Sequence, residues 1–591
     1  MSLVDLVLPL ALGWPLVLAL RSLACFYNQS PVNQPVYLTW AWVSAPWPAL
    51  LLPFLGEAQW TMDSWLLGSL WELDAISRAW LAFTALLWSF SALYARGYFA
   101  AEQQKAQTGE SDAQRRMMRL AVLWPLTLTG NLLLIIAEDI ASFYLGFALM
   151  TFAGYGLVVH TGTRRALHGG RAYLILAILG EGLMLGGLLW GAGEAQTVTL
   201  PGLREGIASA EQGVWMALLL WLGLGVKAGV IGLHVWLPLA HPVAPAPASA
   251  VLSGAVIKAG LLGWLNVLPL GVLEAHGDFA VLGRFMLVLG LVAAFGAALY
   301  GVWQRHPKAV LAYSSISQMG MLTALVAMGL IAPATWPLLL PAIVLFAAHH
   351  ALTKGALFMG TGLSEHPPRM PKVLLFGGLA LPGLSLAGAI GAGMVSKWSI
   401  KSALYAHEHT GLMTLLTVAA VGTSLLMSAT LWRQWQQWGE PGSNACSLGG
   451  WLAAIMAALL TPLWLPLPPD SLEFPSVSEW WGLIWPYVAG VGLVTVGLGL
   501  LRRWPVSDVR LPAGDAWWLY ASWAAWVLTR VQAQAENLSA RKKRTVKACL
   551  RAEQRMMRIL ARIISYEVWM RQHTSGLMMA LALVFALLML L

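Results

Sequence analysis

Residues 222–242 read LGLGVKAGVIGLHVWLPLAHP. Lys227 stands inside a run whose other members belong in hydrocarbon, and Gly229, Gly232 and Pro238 interrupt the helix that such a run would form. A lysine at the centre of a membrane helix costs about 2.5–3.5 kcal/mol on insertion scales, so one too deep to reach water marks a functional position. His234 follows Lys227 by seven residues, which on a continuous helix places both on one face, two turns apart. The stretch therefore predicts a membrane helix with a cation at mid-depth and a break beside it.

The rest of the chain fits that reading. Of its 591 residues, 58% are hydrophobic and 11% charged, against about 25% charged in soluble domains. Apolar runs of membrane-spanning length recur throughout, and they are too continuous for the strands of a barrel. The expected fold class is all-α: a polytopic membrane protein with about 16 transmembrane helices. The expected spans are 3–22, 36–55, 77–98, 117–137, 139–160, 170–191, 213–238, 248–270, 280–303, 309–331, 335–362, 373–400, 411–432, 449–467, 481–501 and 574–591. The run from Leu3 lacks a basic leader and a small-residue cleavage site, so a retained first span is expected.

With these spans, the Arg/Lys-rich connections RGYFAAEQQKAQTGESDAQRRMMR, TGTRRALHGGR, QRHPK, EHPPRMPK and RRWPVSDVR all fall on one side, and the acidic or neutral ones on the other. The positive-inside rule makes the basic side cytoplasmic and puts the N-terminus on the opposite face of a bacterial inner membrane. Residues 533–568 do not read as a span. Arg544, Lys547, Arg551, Arg555, Arg558 and Arg562 line one helix face, while Val546, Leu550, Met557, Leu560 and Ile564 help form another. This is an amphipathic lateral helix suited to the cytoplasmic surface, either anchored on lipid or bracing a neighbouring subunit. The expected organisation is N-terminal helices 1–115, a first repeat 116–270, a second repeat 280–432, additional helices 449–501, a basic lateral helix 510–573 and a last span 574–591.

Other deep ionisable groups line up with Lys227. Glu181 lies in the sixth span, Lys258 in the eighth, His349, His350 and Lys354 in the eleventh, and Lys397 toward the end of the twelfth. Titratable groups in consecutive helices at mid-membrane describe a proton or ion path. Lysine suits it because burial brings its affinity for a proton into the working range, and histidine titrates there unaided. The seventh and twelfth spans both carry a deep lysine and both are interrupted by glycine and proline. An odd offset of five spans inverts the second unit in the membrane, so two inverted five-helix repeats, spans 4–8 and 9–13, are expected to meet at the transport site.

At these residues the chain resembles a known family. HVWLPLAHPVAPAPASAVLSGAVIKAG, KAVLAYSSISQMGML, HHALTKGALF and GMVSKWSI are similar to signatures of the antiporter-like, proton-conducting subunits of respiratory complex I. That family includes the large Mrp-type cation/proton antiporter subunits, membrane-bound hydrogenase subunits and the membrane subunits of inorganic-carbon uptake complexes. The resemblance covers most of residues 75–430, and the lateral helix with a final span resembles the long version of the family. It implies that Lys227 exchanges protons while paired with a fifth-span glutamate. It implies that Lys258 links the two halves, that His350 and Lys354 form the central pair, and that Lys397 opens to the far side. One departure stands out: the place of the fifth-span glutamate is held by Ala148, and Asp139 lies near the membrane end. Glu181, on the next helix, is the expected substitute.

The expected function is proton conduction along Glu181, Lys227, His234, Lys258, His349, His350, Lys354 and Lys397 in a subunit of an energy-coupled complex. The alternatives are the membrane subunit of an inorganic-carbon uptake complex and an Mrp-like cation/proton antiporter subunit. The expected partners are other membrane or peripheral subunits, protons, with sodium as a second candidate ion, and the lipid bilayer, with no role for nucleic acid. Cys25, Cys446 and Cys549 have no metal-ligand spacing, and nucleotide and flavin motifs are lacking, so no cofactor is expected and the chemistry would belong to partners.

Overall fold

The computed structural model describes residues 3–27, 37–63, 65, 68–274, 278–468, 471–503 and 511–514, with short stretches between 517 and 530 and residues 583–585. The chain divides into two compact units, Met1–Ala513 and Gly514–Leu591. The first is a multi-pass membrane bundle. Among the described residues 12 helices are long and apolar enough to cross a bilayer, and Gly213–Ala228 and Ala445–Leu459 are shorter apolar helices. The lateral helix and most of the final span expected from the sequence lie outside the described residues.

We number the longer helices in chain order: α1 (Leu3–Tyr27), α2 (Ala75–Tyr98), α3 (Ser111–Ile136), α4 (Ile140–Val158), α5 (Arg164–Ala195), α6 (Gly213–Ala228), α7 (Ile257–Val267), α8 (Phe279–Gly301), α9 (Pro307–Ile331), α10 (Trp336–Glu365), α11 (Lys372–Ala387), α12 (Gly391–Tyr405), α13 (Thr410–Gln436), α14 (Ala445–Leu459) and α15 (Trp480–Arg503). Their ends follow from local chemistry. Asp74 caps α2 through Ser77 in a reciprocal capping box, Asp139 caps α4 at Ser142, and Thr163 caps α5 at Ala166.

Two expectations need correction. Residues 36–55 do not form a span. From residue 40 the chain makes a one-turn helix, Trp40–Val43, and two 3₁₀ turns, Pro48–Leu50 and Leu52–Phe54. Pro46, Pro48 and Pro53 remove donors from the i→i−4 ladder, so an apolar stretch of sufficient length cannot continue as α-helix. The chain is also not purely helical. Strands β1 (Ala58–Met62) and β2 (Ser69–Leu73) pair antiparallel with Trp60 opposite Trp71. The α3–α4 link extends this hairpin: the Glu138 amide donates to Leu70 O at 2.8 Å, the Leu70 amide to Asp139 Oδ2 at 2.9 Å, and the Leu200 amide to Glu138 O at 2.8 Å.

Burial sorts the bundle. The stretch Ala246–Val267 is buried along 100% of its apolar window and α3 and α9 along 94%, whereas α13 is buried along 33% and the span within α15 along 17%. The central helices are therefore wrapped by protein, and the exposed apolar faces of α13 and α15 have the character of lipid- or partner-facing surface. Glycine permits close approach where helices cross, as at Gly180 and Gly223 between α5 and α6 and at two further places. A Cβ on Gly130 or Gly146 would meet the facing carbonyl at 2.7 or 2.9 Å where α3 crosses α4, and one on Gly290 or Gly320 would do so at 2.7 or 2.6 Å where α8 crosses α9.

Both expected helix breaks are present. α6 ends at Ala228 with Gly229 at φ +80°, and α11 ends at Ala387 with Gly388 at φ +85°; a left-handed residue there is a standard helix stop that glycine adopts without strain. After the first break the chain passes through Trp236–Ala240 and Ala246–Val251, then a π-helical turn, Leu252–Val256, that leads directly into α7. Such π turns widen a helix and are common at functional positions.

Candidate functional site

The predicted residues fall into separate buried groups. In the first, Lys227 sits in the last turn of α6 and is 3% exposed, a favourable place for a cation because the helix dipole ends there. Its Nζ donates to the Tyr173 hydroxyl at 3.2 Å, and that hydroxyl donates onward to Thr151 O at 2.9 Å. The rings of Tyr173, Phe147 and Trp236 surround the ammonium at 4.8, 5.5 and 5.9 Å from Nζ to ring centroid, within the range of cation–π attraction. Glu181 of α5 is buried at 5% exposure and interacts electrostatically with Lys227, yet its Oε1 has no hydrogen-bond partner. Ala148 contributes no charge, so Glu181 is the carboxylate that acts on Lys227.

His234 does not share a helical face with Lys227. The helix has stopped at Ala228, and His234 lies in the link beyond Gly229, where its Nδ1 accepts the Gly232 amide at 3.1 Å. The same-face reading assumed an unbroken helix; the glycine that breaks it also moves the histidine. Trp236 stabilises the break by donating Nε1–H to Val226 O at 2.7 Å, a carbonyl that the stopped helix leaves free.

The second group is central. Lys258, Lys354 and His350 are all 0% exposed. Lys258 Nζ and His350 Nδ1 are 2.6 Å apart, and Lys258 also reaches Met319 Sδ at 3.3 Å. One atom of the lysine–histidine pair gives a proton and the other takes it. With lysine donating, the imidazole carries its own proton on Nε2, which has no partner. Lys354, one turn along α10, donates to Leu311 O at 3.0 Å. Among the described residues no carboxylate pairs with either lysine, and no hydrogen bond or ion pair joins Lys258 to Lys227.

The third group straddles the second break. His349 Nε2 and Ser385 Oγ are 2.9 Å apart, joining α10 to the last turn of α11. Lys397 of α12 folds back over Gly388 and donates to Ala387 O at 2.5 Å, so its charge caps the C-terminal end of α11. His349 and Lys397 interact electrostatically.

Sequence reasoning missed several members. His241, at the end of the opening stretch, is 0% exposed, stacks on Phe358 at 4.6 Å between centroids, and has neither ring nitrogen satisfied. It interacts with Lys354 and Lys308. Lys308 belongs to the connection QRHPK, where a lysine is expected to reach water, but it is 4% exposed and donates to Ala244 O at 3.1 Å. Just outside α9, burial, with Lys308 adding to it, pushes His306 down to about 4 against the opposing pull of Glu365. The signal for Lys308 was its place in the first turn of a helix that begins with proline. Tyr173 and Ser385, polar groups in apolar helices, carried little signal.

At the membrane edge a separate cluster ties Ala100–Gln107 to the end of α4. Glu102 pairs with Arg116, and His160 Nε2 lies 3.6 Å from its carboxylate. Burial raises the Glu102 carboxyl, but His160 and Arg116 outweigh that and hold it at about 2.

The chain is similar to known membrane proteins. Residues 137–426, just under half of the chain, match a family described as NADH:quinone oxidoreductase/Mrp antiporter, transmembrane. The chain is 30% identical over 239 residues to Hydrogenase-4 component B of Escherichia coli, covering 39% of this chain and 35% of that protein. It is 28% identical over 316 residues to Na(+)/H(+) antiporter subunit A1 of Staphylococcus haemolyticus, covering 49% of this chain and 38% of that one. The matched stretches thus span little more than a third of these relatives. A chain of the Mrp complex from Dietzia sp. superposes with a TM-score of 0.68 at 20% identity, covering 89% of this chain and 60% of its own length, which establishes a shared fold.

Proposed function

We propose that this chain, whose residues 137–426 match the NADH:quinone oxidoreductase/Mrp antiporter transmembrane family, is an antiporter-like membrane subunit that conducts protons through its buried groups, coupled to partner subunits. Glu181 and Lys227 form the loading pair, with Tyr173 in place of a fifth-span carboxylate as the group that orients Lys227. Lys258 and His350 pass the proton at mid-membrane, Lys354 receives it, and His349, Ser385 and Lys397 carry it past the second break. His241 and Lys308 form a side branch toward His306 and Glu365.

The observation that carries the reading is the 2.6 Å contact between Lys258 and His350, with Nε2 of the same imidazole unpartnered. A structural histidine satisfies both nitrogens; a relay holds one proton and keeps the other face open. Buried polar atoms without protein partners are where ordered water sits, and the open atoms of Glu181, His241 and His350 are such places. The separation of Lys227 from Lys258 would be bridged in the same way. The supporting pattern in the fold is a pair of five-span units, α3–α7 and α8–α13, with α11 and α12 together making one broken span of the second. Each begins with a glycine-bearing crossing, and α6 and α11 each end in a left-handed glycine. Inverted repeats with broken helices at the transport site account for that arrangement.

The relatives named above are hydrogenase and antiporter components, so the inorganic-carbon alternative is not favoured. We place the basic connections in the cytoplasm of a bacterium and the N-terminus outside. The test has two parts. Mild purification from the native membrane followed by mass spectrometry identifies the partners, and recovery of the chain alone would refute the subunit reading. Proton uptake by proteoliposomes of that preparation, under an imposed potential, is expected to fall at least tenfold in Lys354→Met with unchanged assembly. Undiminished uptake would refute the path.

A further inference from the structure

Beside the last lysine of this row is a partly open cavity lined by apolar residues such as Phe346, Ile400, Leu404, Met413 and Leu416, with Lys397, Lys401 and Thr417 as its polar members. Its composition is that of small-ligand sites: apolar walls with a few convergent polar groups. The walls come from α9, α10, α12, α13 and α15.

The two lysines are one helical turn apart on α12 and face the same space. Each uses one donor on a carbonyl: Lys397 on Ala387 O at 2.5 Å and Lys401 on Gly482 O at 2.7 Å. An ammonium has three donors, so each retains two. Among the described residues neither has a carboxylate within ion-pair distance. The nearby Glu473 is engaged elsewhere, accepting from the Ser402 hydroxyl. Two like charges at one cavity, Lys401 half-buried at its mouth, with spare donors and no paired carboxylate, form a site for an anion. Walls of Met, Leu, Ile and Phe require that the anion carry an apolar body. A free inorganic anion satisfies the first condition and fails the second.

We propose that this cavity binds a long-chain amphiphile, its anionic head between Lys397 and Lys401 and its chain along Leu404, Met413 and Leu416. Both a fatty-acid carboxylate and an anionic phospholipid have this chemistry. The site goes beyond proton conduction, and its test does not depend on the path. The full-length protein, in nanodiscs of zwitterionic lipid, is labelled with a photoactivatable oleate and the modified residues are mapped by mass spectrometry. Labelling is expected at Ile400, Leu404, Met413 or Leu416, displaced by oleate but not by oleyl alcohol, which has the same chain without the charge. Lys401→Gln is expected to weaken it roughly tenfold or more, the scale of one charge-assisted hydrogen bond, while Lys401→Arg retains it. Met413→Trp, which fills the cavity and leaves both charges in place, is expected to abolish it, so charge and space are tested separately. Displacement by phosphatidylglycerol and not by oleate supports the site and assigns a phospholipid to it. Equal displacement by oleyl alcohol, or labelling unaffected by both Lys401→Gln and Met413→Trp, would overturn the proposal.

Discussion

Replacing His350 by glutamine separates packing from proton transfer. The glutamine carbonyl oxygen can accept from Lys258 much as Nδ1 does at 2.6 Å, and the residue remains at a position with 0% exposure. The hydrogen bond and most of the volume are therefore kept, and stability is expected to change by less than about 1.5 kcal/mol, the cost of a volume-conserving exchange. What is lost is a group that can take a proton on one atom and release it from another. The remaining route leaves Lys258 to discharge without a relay, and losing a positioned proton-transfer group costs roughly a hundredfold or more in rate. The assay is proton uptake by proteoliposomes containing a pH-sensitive dye, with the potential clamped by valinomycin and the protein quantified in the same vesicles. His350→Leu serves as the contrast: it strands Lys258 with a thioether and is expected to reduce assembly as well. Uptake within twofold of the unmodified protein in His350→Gln would refute the relay, because a residue that only fills space and accepts a hydrogen bond has then been replaced by another that does the same.

Tyr173→Phe removes the hydroxyl that Lys227 holds at 3.2 Å; proton uptake should fall about tenfold at unchanged abundance in the membrane. Gly320→Ala places a Cβ 2.6 Å from Gly290 O, and overpacking of about 1–3 kcal/mol should lower the thermal midpoint in detergent, whereas Gly182→Ala, with nothing within 4 Å of its Cβ, should leave it unchanged. Glu138 is raised to about 8 by burial and by Asp74, Glu72 and Asp139, against Arg204. The folded state holds this proton more tightly than the unfolded chain, so stability declines as pH rises from about 4.5 to about 8. The protection factors of the Leu70 and Leu200 amides, exchange being corrected for its intrinsic pH dependence, should fall over that range in the unmodified protein and not in Glu138→Gln. Glu102, held at about 2, has the opposite sign: its contribution is complete above about 4.5 and is lost as pH falls toward 2, and Glu102→Gln should abolish that acid-side loss in thermal melts.

Most of the bundle was legible because lipid leaves the backbone few choices. A long apolar run must be a helix, and a deep charge within it is conspicuous. The breaks at Gly229 and Gly388 were legible for the same reason, since glycine and proline are the residues that stop a helix. Residues 36–55 misled because hydropathy measures length and apolarity, whereas Pro46, Pro48 and Pro53 govern hydrogen bonding. β1 and β2 were illegible because such short strands carry little periodicity of their own, and the α3–α4 link that bonds β2 is remote in sequence. In the site, Lys227, Lys258, Lys354 and Lys397 announced themselves by charge. His234 was assigned to the wrong face because helical periodicity was carried across the glycine. Tyr173, His241 and Lys308 owe their places to neighbours on other helices, which one-dimensional spacing does not encode.

The seam between β2 and the α3–α4 link sets a timetable for the nascent chain. Leu70 bonds Glu138, and Glu138 bonds Leu200, so the hairpin cannot complete its sheet until residues far beyond it have left the ribosome. At roughly 5–20 residues per second that interval is on the order of ten seconds, during which β2 presents an open edge and α3, α4 and α5 are still being inserted. An unpaired edge is a template for the wrong strand. The order of synthesis therefore makes the membrane surface around residue 70 the place where assembly of this protein is most exposed to error.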